Sequence, residues 1–376
     1  MQGGAISKDT YELRPPYPFH SQSIFQKETI PMLKKITFLA VILIAVVALA
    51  ACAAPTQAPE QAATQAPAEQ PTEAAAAPTE APQVAQSNLV FGLAVHSNPA
   101  EDSFWGVVEK GAQDAADAYG VTLKSGGSGD PTEQAQLVET YVSDKVDGLI
   151  VSLANPDALK DAVKRATDAG IPVITINSGV DVYKELGAIT HVGQTEFVAG
   201  QGAGEQFTKA GLKSVLCVIH EEGNIGLEQR CDGLEDTFQG KVERFNVATT
   251  GTRDIAGTSS SIQDKLIAAG DVDGILTLNP DIAGAALDAI KATDRDVKLA
   301  TFDLSPAVLD AIDTGDIMFA VDQQQYLQGY LPVVFLYLYN VNLNTVGGGL
   351  PVLTGPGIVD KSNAAQVKEL AAQGTR

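Results

Sequence analysis

The chain has 376 residues, with 46 acidic and 25 basic side chains that give a formal net charge of −21 at pH 7. Nucleic acids and anionic lipid surfaces bind basic proteins, so this charge excludes both as main partners. Three cysteines and four scattered histidines are too few to predict a metal site.

The N-terminal region has the features of an export signal. Two lysines precede an uncharged apolar run over 36–48, which is shorter than the ~20 residues of a membrane-spanning helix. Residues 49–52 read Leu-Ala-Ala-Cys and resemble the lipobox of bacterial lipoproteins, in which the cysteine, here Cys52, is acylated and becomes the mature N-terminus. We therefore predict a signal region over 1–51 with translation starting at Met32; an uncleaved signal anchor is the alternative.

Residues 52–88 are predicted to form a disordered linker. They are almost entirely Ala, Pro, Thr, Gln and Glu, a composition that buries too little apolar surface to offset the entropy of ordering. The prolines of this linker favour extended conformations, and the fully extended linker would span on the order of 100 Å. An acylated cysteine followed by this spacer predicts an extracytoplasmic body, in the periplasm or at the cell surface, anchored to the membrane by lipid.

From residue 89 onward, short apolar runs rich in β-branched residues alternate with longer amphipathic stretches. The predicted strands are 89–95, 148–153, 172–176, 215–219, 274–278, 298–302 and 317–321. The predicted helices between them include 104–119, 132–143, 157–169, 260–269, 282–292 and 307–313. Continuous apolar strands between helices predict an α/β fold whose parallel sheets are covered by helices on both faces.

The first half of this body recurs in the second half. The matching positions, 124 to 126 residues apart, are His96 with His220, Asn155 with Asn279, and Asn177 with Asp303. Each follows a predicted strand, and the carboxyl ends of strands are where open α/β sheets bind ligands. The repeat therefore predicts two Rossmann-like lobes whose ligand-binding edges face each other across a cleft that closes around a small molecule.

Five segments carry a resemblance to a known family. They are Ser-Phe-Trp-Gly-Val-Val-Glu-Lys-Gly-Ala-Gln-Asp-Ala-Ala at 103–116, Ala-Gly-Ile-Pro-Val-Ile-Thr-Ile-Asn at 169–177, Asp-Gly-Ile-Leu-Thr-Leu-Asn-Pro-Asp at 273–281, Thr-Phe-Asp at 301–303 and Asp-Gln-Gln-Gln-Tyr-Leu-Gln-Gly-Tyr at 322–330. In this order and spacing, the chain from about Leu89 resembles the type I periplasmic binding proteins of the ribose- and galactose-binding kind. These proteins are the solute receptors of monosaccharide ABC transporters.

The resemblance implies a domain organisation in which three crossovers form a hinge between the lobes. We expect the crossovers near 192–195, 321–325 and 350–354. The N-terminal lobe would then comprise 89–192 and 324–352, and the C-terminal lobe 193–323 and 353–376. A receptor of this kind is expected to be a monomer.

The resemblance also implies a set of ligand-binding residues. They are His96, Asp102, Phe104, Trp105, Asn155 and Asn177 from the first lobe, Arg230, Asn279 and Asp303 from the second, and Gln323 at the last crossover. Their amide, carboxyl and guanidinium groups can pair the donor and acceptor sides of sugar hydroxyls. The alternatives are core packing for Trp105, a turn for Asn155 and a surface position for Arg230. Many relatives carry Asp-Arg where this chain has Asn177-Ser178, which predicts a different hydroxyl pattern at that point.

Two cysteines lie within the predicted globular body. Cys217 falls in the predicted strand 215–219 and Cys231 in the helix that should follow. Outside the cytoplasm such a pair can oxidise, so we favour a disulfide over two buried thiols.

The sequence favours a receptor over an enzyme. It contains no phosphate-binding loop, no Gly-x-Ser-x-Gly elbow and no His-Glu-x-x-His motif, and nothing in it calls for a cofactor. We predict that the protein captures a monosaccharide, an aldohexose such as glucose or a pentose, and delivers it to the permease and ATPase subunits of an ABC importer. The alternatives are a receptor of the same fold for a nucleoside or signalling furanone, and a sugar-sensing subunit without import.

Overall fold

The computed structural model describes residues 87–247 and 252–376, all within one compact unit that comprises Glu80–Arg376. The predictions about the signal region, about Cys52 and about nearly all of the linker lie outside the described residues. Within the described ranges, no helix is both long enough and apolar enough to cross a membrane.

The body consists of alternating strands and helices. In chain order, the described elements are β1 (Val90–Val95), α1 (Ser103–Tyr119), β2 (Thr122–Gly127), α2 (Pro131–Ser143), β3 (Gly148–Ser152), α3 (Pro156–Asp168), β4 (Val173–Ile176), β5 (Thr190–Gly193), α4 (Glu196–Ala210), β6 (Ser214–Ile219), α5 (Ile225–Thr237), β7 (Lys241–Asn246), α6 (Ile255–Ala268), β8 (Gly274–Thr277), α7 (Pro280–Thr293), β9 (Lys298–Phe302), α8 (Pro306–Thr314), β10 (Ile317–Asp322), α9 (Gln325–Asn342), a 3-10 turn (Gly347–Gly349), β11 (Val352–Leu353), β12 (Gly357–Asp360) and α10 (Ala364–Ala372).

The strands form two separate six-stranded sheets. The first has the order β11-β5-β4-β3-β1-β2 and the second β12-β10-β9-β8-β6-β7. All neighbours run parallel except β10 and β12, which are antiparallel. Each sheet has a buried apolar cluster on either side, so helices cover both of its faces. The predicted α/β fold with two Rossmann-like lobes is confirmed.

The central strands were predictable because they are buried on both faces. β3 and β6 are buried along their whole length and read as continuous apolar runs. β2 and β7 were not predicted; they lie at sheet edges and carry the polar sequences TLKSGG and KVERFN, which lack the apolar run of a central strand.

The chain passes between the sheets three times. It leaves the first sheet after β5, returns from β10 into α9, and passes again from β11, which pairs with β5, to β12, which pairs with β10. We call β1–β5, β11, α1–α3 and α9 the first lobe, and α4–α8, β6–β10, β12 and α10 the second lobe.

Close packing of α4 on α5 fixes the part of the second lobe that carries Arg230. A Cβ atom added at Gly200 would lie 2.1 Å from the carbonyl oxygen of Arg230, and one added at Gly233 would lie 2.0 Å from that of Phe197. Only glycine permits this approach of two helix backbones. Cys217 on β6 and Cys231 on α5 form a disulfide, which ties the same helix to the sheet.

Candidate functional site

The carboxyl ends of strands from both sheets border one cavity between the lobes. Its lining residues are His96, Asp102, Phe104, Trp105, Asn177, Ser178, His220, Glu221, Asn224, Leu227, Arg230, Leu278, Asn279, Asp303 and Gln323. We call this space the inner cavity; its free volume in this arrangement of the lobes is about 30 Å³, so a ligand larger than a water molecule requires its walls to move apart. Nine of the ten residues predicted to bind ligand line it, and Asn155 does not.

Asn155 lies instead in a neighbouring cavity, at the start of α3. Its counterpart Asn279 caps α7, accepting a hydrogen bond from the backbone N–H of Asp281 at 2.8 Å, and faces the inner cavity. Of the three matched pairs, only Asn155 and Asn279 face different cavities, since His96 with His220 and Asn177 with Asp303 all line the inner cavity.

A chain of hydrogen bonds joins the two lobes at the base of the inner cavity. The Gln323 Nε2 donates to Asp303 Oδ1 at 2.8 Å, and its Oε1 accepts from Asn177 Nδ2 at 3.2 Å. Gln328 on α9 also donates to that Oε1, at 2.8 Å. Asn177 and Asp303 directly follow β4 and β9 with φ of 59° and 71°, a left-handed conformation that Asn and Asp tolerate better than most residues. The crossover residue Gln323 thus links the two strand ends.

Arg230 provides the buried cation of the inner cavity and is 3% exposed. Its Nε donates to Glu196 Oε2 at 2.5 Å, its Nη1 donates to the Leu278 carbonyl at 3.0 Å, and its guanidinium lies 4.4 Å from the centroid of the Phe302 ring. The carboxylate of Asp303 is 3.9 Å away. Burial opposes the charged form, but these two carboxylates raise the pKa of Arg230 above its usual value.

The aromatic wall belongs to the first lobe. Trp105 packs edge-on against His96 at 4.7 Å and against Phe104 at 4.9 Å between ring centroids. Asp102 orients both aromatic residues, because its Oδ1 accepts hydrogen bonds from the backbone N–H groups of Phe104 and Trp105 at 3.0 and 3.3 Å. Trp105 is also part of the first-lobe core. It therefore both packs in the core and lines the inner cavity.

His96 connects the first lobe to a loop of the second. Its Nδ1 is 2.7 Å from Ser152 Oγ, and its Nε2 is 3.4 Å from Asn224 Nδ2 and 3.6 Å from Glu221 Oε2. Asn224 also caps α5 and donates to Glu221 Oε2 at 2.6 Å.

The cavity suppresses charge on most of its titratable groups. Burial and the charge of Arg230 lower the pKa of His96 and of His220 to about 3. Burial raises the pKa of Asp303 to about 7, although Arg230 opposes that rise. Desolvation likewise raises the pKa of Glu221 to about 7, and burial with the Asp281 charge raises that of Asp102 to about 6. Near neutral pH both histidines are therefore uncharged and Asp303 and Glu221 are only partly ionised, while the cation of Arg230 is paired with Glu196 and Asp303.

Several cavity residues were missing from the predicted set. Ser178, Glu221, Asn224 and Leu227 lie in loops or at a helix start, where no strand pattern marks them. His220 was noted only as the counterpart of His96. Glu196, the partner of Arg230, lies on another helix and meets it only through tertiary packing.

Hydrogen bonds across the mouth of the cleft hold the lobes together. Ser103 on α1 donates from its backbone N–H and its hydroxyl to the Asp281 carboxylate on α7, at 3.2 and 2.9 Å. The backbone N–H of Ile225 donates to the Ala154 carbonyl at 3.1 Å. These contacts define a closed arrangement of the two lobes.

Comparison with known proteins agrees with this geometry. A family model described as a periplasmic binding protein domain matches residues 92–340. The xylose/arabinose-binding protein XylF of Sulfolobus acidocaldarius is 26% identical over 76% of this chain and 73% of its own length. The ribose import binding protein RbsB of Haemophilus influenzae is 29% identical over 66% of this chain and 84% of its own.

A solved structure is also similar. The carbohydrate transporter of Acidothermus cellulolyticus 11B, in complex with myo-inositol, is 42% identical and covers 77% of this chain and 99% of its own, with a TM-score of 0.74. The family acts outside the cytoplasm, and its members are transport receptors rather than enzymes. This chain belongs to the periplasmic binding protein family, as a type I sugar-binding protein of the ABC transporter kind.

Proposed function

We propose that this protein captures one neutral, polyhydroxylated ring of monosaccharide size in the inner cavity and delivers it to the permease and ATPase of an ABC importer. The ring is an aldohexose such as glucose, or a pentose. The myo-inositol complex of the 42% identical relative adds a cyclic polyol of the same size to the candidates. The observation that carries the proposal is the lining of the inner cavity.

That lining suits hydroxyl groups, which both donate and accept hydrogen bonds. Arg230 donates, Asp303 accepts when ionised, and Asn177, Asn279 and Gln323 do both. The aromatic wall offers apolar surface for the C–H face of a ring. A buried site built from such groups rejects ligands that leave them unpaired, because each unpaired group costs roughly 1–3 kcal/mol.

Closure of the lobes would couple capture to delivery. The hydrogen bonds from Ser103 to Asp281 and from Ile225 to Ala154 join the two lobes, so opening of the cleft would break them. A ligand that contacts both walls binds the closed form more tightly and shifts the population toward it. The closed receptor then presents both lobes to the permease.

Acylation at Cys52 and the linker over 52–88 would tether this monomeric receptor beside the membrane. Labelling cells with a palmitate analogue should mark the wild-type protein and leave Cys52→Ser unlabelled and released. Equal labelling of both would contradict the tether.

A ligand screen tests the proposal directly. Thermal unfolding is measured with glucose, galactose, ribose, xylose, arabinose and myo-inositol, and with adenosine for the nucleoside alternative. A ligand at 100 times its dissociation constant adds about 2.7 kcal/mol to the free energy of unfolding and raises the melting temperature accordingly. A shift with at least one sugar or cyclitol supports the proposal. A shift with adenosine alone overturns it.

The position of the gene separates import from sensing. An importer receptor should be encoded beside a permease and an ATPase. A neighbouring signalling kinase without those two genes would favour the sugar-sensing alternative.

A further inference from the structure

A second cavity of about 380 Å³ adjoins the inner cavity. We call it the outer compartment. His96, Glu221 and Asn224 line both spaces and contact one another between them, so these side chains would have to move apart for one ligand to reach both cavities. A volume of that size lies within the range of ~300–1,000 Å³ that small-molecule sites occupy.

The outer compartment is built by both lobes. The first lobe contributes the ends of β1, β2 and β3 with the start of α2, and the second lobe contributes Glu221, Glu222, Asn224, Thr252 and Arg253. A ligand lying there would therefore contact both walls and gain from closure of the cleft, as a ligand in the inner cavity does.

Asn155 presents an uncommitted amide to this compartment. It precedes α3 as the N-cap residue, yet its side chain makes no capping hydrogen bond. Within the described ranges, its amide has no hydrogen-bond partner. Its Oδ1 lies 3.9 Å from the position of a Cβ added at Gly223 of the second lobe, so the amide points across the cleft. An amide in this place can both donate to and accept from a hydroxyl.

The remaining lining sets the class of ligand. Among the described residues that form it, four are glutamates and one is an arginine, so a phosphorylated or carboxylated group would meet a mainly negative surface. Among those residues there is no Phe, Tyr or Trp, and the one aromatic ring is the His96 imidazole at the border with the inner cavity, so a ring would be held mainly by hydrogen bonds at its edge.

We propose that the outer compartment binds the second ring of a neutral disaccharide whose first ring occupies the inner cavity. This inference rests on the proposed function. It extends the substrate class of the receptor from single rings to a ring that carries a neutral glycosidic substituent, with Asn155 hydrogen-bonding the substituent.

Calorimetric titration of the wild-type protein tests the inference. The probes are glucose, xylose and myo-inositol as single rings, and cellobiose, maltose, xylobiose and galactinol as neutral two-ring ligands, with glucose 6-phosphate as the anionic control. We expect binding by a single ring and by a two-ring ligand that contains it, and at least tenfold weaker binding of the phosphate.

Two variants locate the second ring. Asn155→Ala removes the free amide. Gly129→Leu fills the compartment, since a Cβ at Gly129 meets the flexible end of the Arg253 side chain at 3.3 Å and the His96 carbonyl oxygen at an ordinary contact distance of 4.0 Å. Each should weaken two-ring binding at least tenfold and single-ring binding less than twofold. The matched control is Gly270→Leu, at a loop glycine whose Cβ would have no atom within 4 Å, and it should change neither affinity.

The outcomes separate this inference from the proposed function. Binding of a single ring without any two-ring ligand overturns the inference and leaves the proposed function standing. Equal weakening of one-ring and two-ring ligands by Asn155→Ala and Gly129→Leu also overturns it. Failure of every sugar and cyclitol to bind overturns the proposed function itself.

Discussion

The two lobes share one plan but give the inner cavity two different walls. β4 and β9 are each followed directly by a residue with positive φ, Asn177 in the first lobe and Asp303 in the second. Around Asn177 the first lobe offers amide, imidazole and aromatic groups. Around Asp303 the second lobe offers a buried ionic cluster with Arg230 and Glu196. The backbone geometry of the repeat is retained while the chemistry differs, so each wall can be altered separately.

The largest effect is expected when Arg230, the cation of the buried ionic cluster, is removed. Arg230→Ala leaves Glu196 and Asp303 buried without their partner, which should lower the free energy of unfolding by about 3–5 kcal/mol and abolish ligand binding. Chemical denaturation and calorimetric titration measure the two effects. The control is Arg244→Ala on the second-lobe surface, where a partly exposed arginine pairs with three carboxylates that water can solvate once it is removed, so its loss should cost less than that of Arg230. Equal losses in both variants would contradict a special role for the buried cluster.

Exchanging the two equivalent strand ends sharpens the comparison. Asp303→Asn gives the second lobe the first-lobe residue, and Asn177→Asp does the reverse; both residue types tolerate the left-handed backbone. Asp303→Asn should weaken ligand binding roughly 10- to 100-fold, because it removes a charge-assisted acceptor worth about 1.5–3 kcal/mol. Its melting temperature should change less than that of Arg230→Ala. Wild-type affinity in Asp303→Asn would show that this carboxylate does not contact the ligand.

Acid stability should depend similarly on one histidine from each lobe. The pKa values of His96 and His220 are lowered from 6.5 to about 3, so below pH 6.5 the unfolded chain binds protons that the folded protein does not. Each histidine therefore costs stability as the pH falls from 6.5 toward 3, by about 1.4 kcal/mol per pH unit. In His96→Gln and in His220→Gln, the slope of unfolding free energy against pH in that window should decrease. An unchanged slope in either variant would place that histidine in a solvated environment.

The smallest effect is expected at the mouth of the cleft. Ser103→Ala removes one exposed hydrogen bond to Asp281 that forms only on closure, so affinity should fall roughly two- to tenfold, mainly through faster dissociation. Stopped-flow kinetics give both rate constants. Ser362→Ala, whose hydroxyl bonds Asp360 within the second lobe, is the control and should leave both rates unchanged.

Much of the fold was predictable because the central strands are continuous apolar runs, whereas β2 and β7 were missed because edge strands carry polar residues. The inner cavity was largely predictable for a related reason, since strand ends such as Asn177 and Asp303 follow directly from strand positions. Contacts made by loops or by separate helices, as with Glu221 and Glu196, depend on tertiary packing and have no local signal. The repeat relates Asn155 to Asn279 but does not specify which cavity each one faces, so the position of Asn155 in the neighbouring cavity could not be predicted.

One property of this chain allows a direct test of the central claim, that both lobes enclose a neutral ring in the inner cavity. Trp105 is the only tryptophan in the sequence, and it lines that cavity. Titration of the wild-type protein with glucose, xylose or myo-inositol should therefore change tryptophan emission saturably for at least one of them. Asp303→Asn on the opposite wall should need roughly 10- to 100-fold more ligand for the same change. Emission that stays constant with every neutral ring, or that responds equally in Asp303→Asn, would contradict the account.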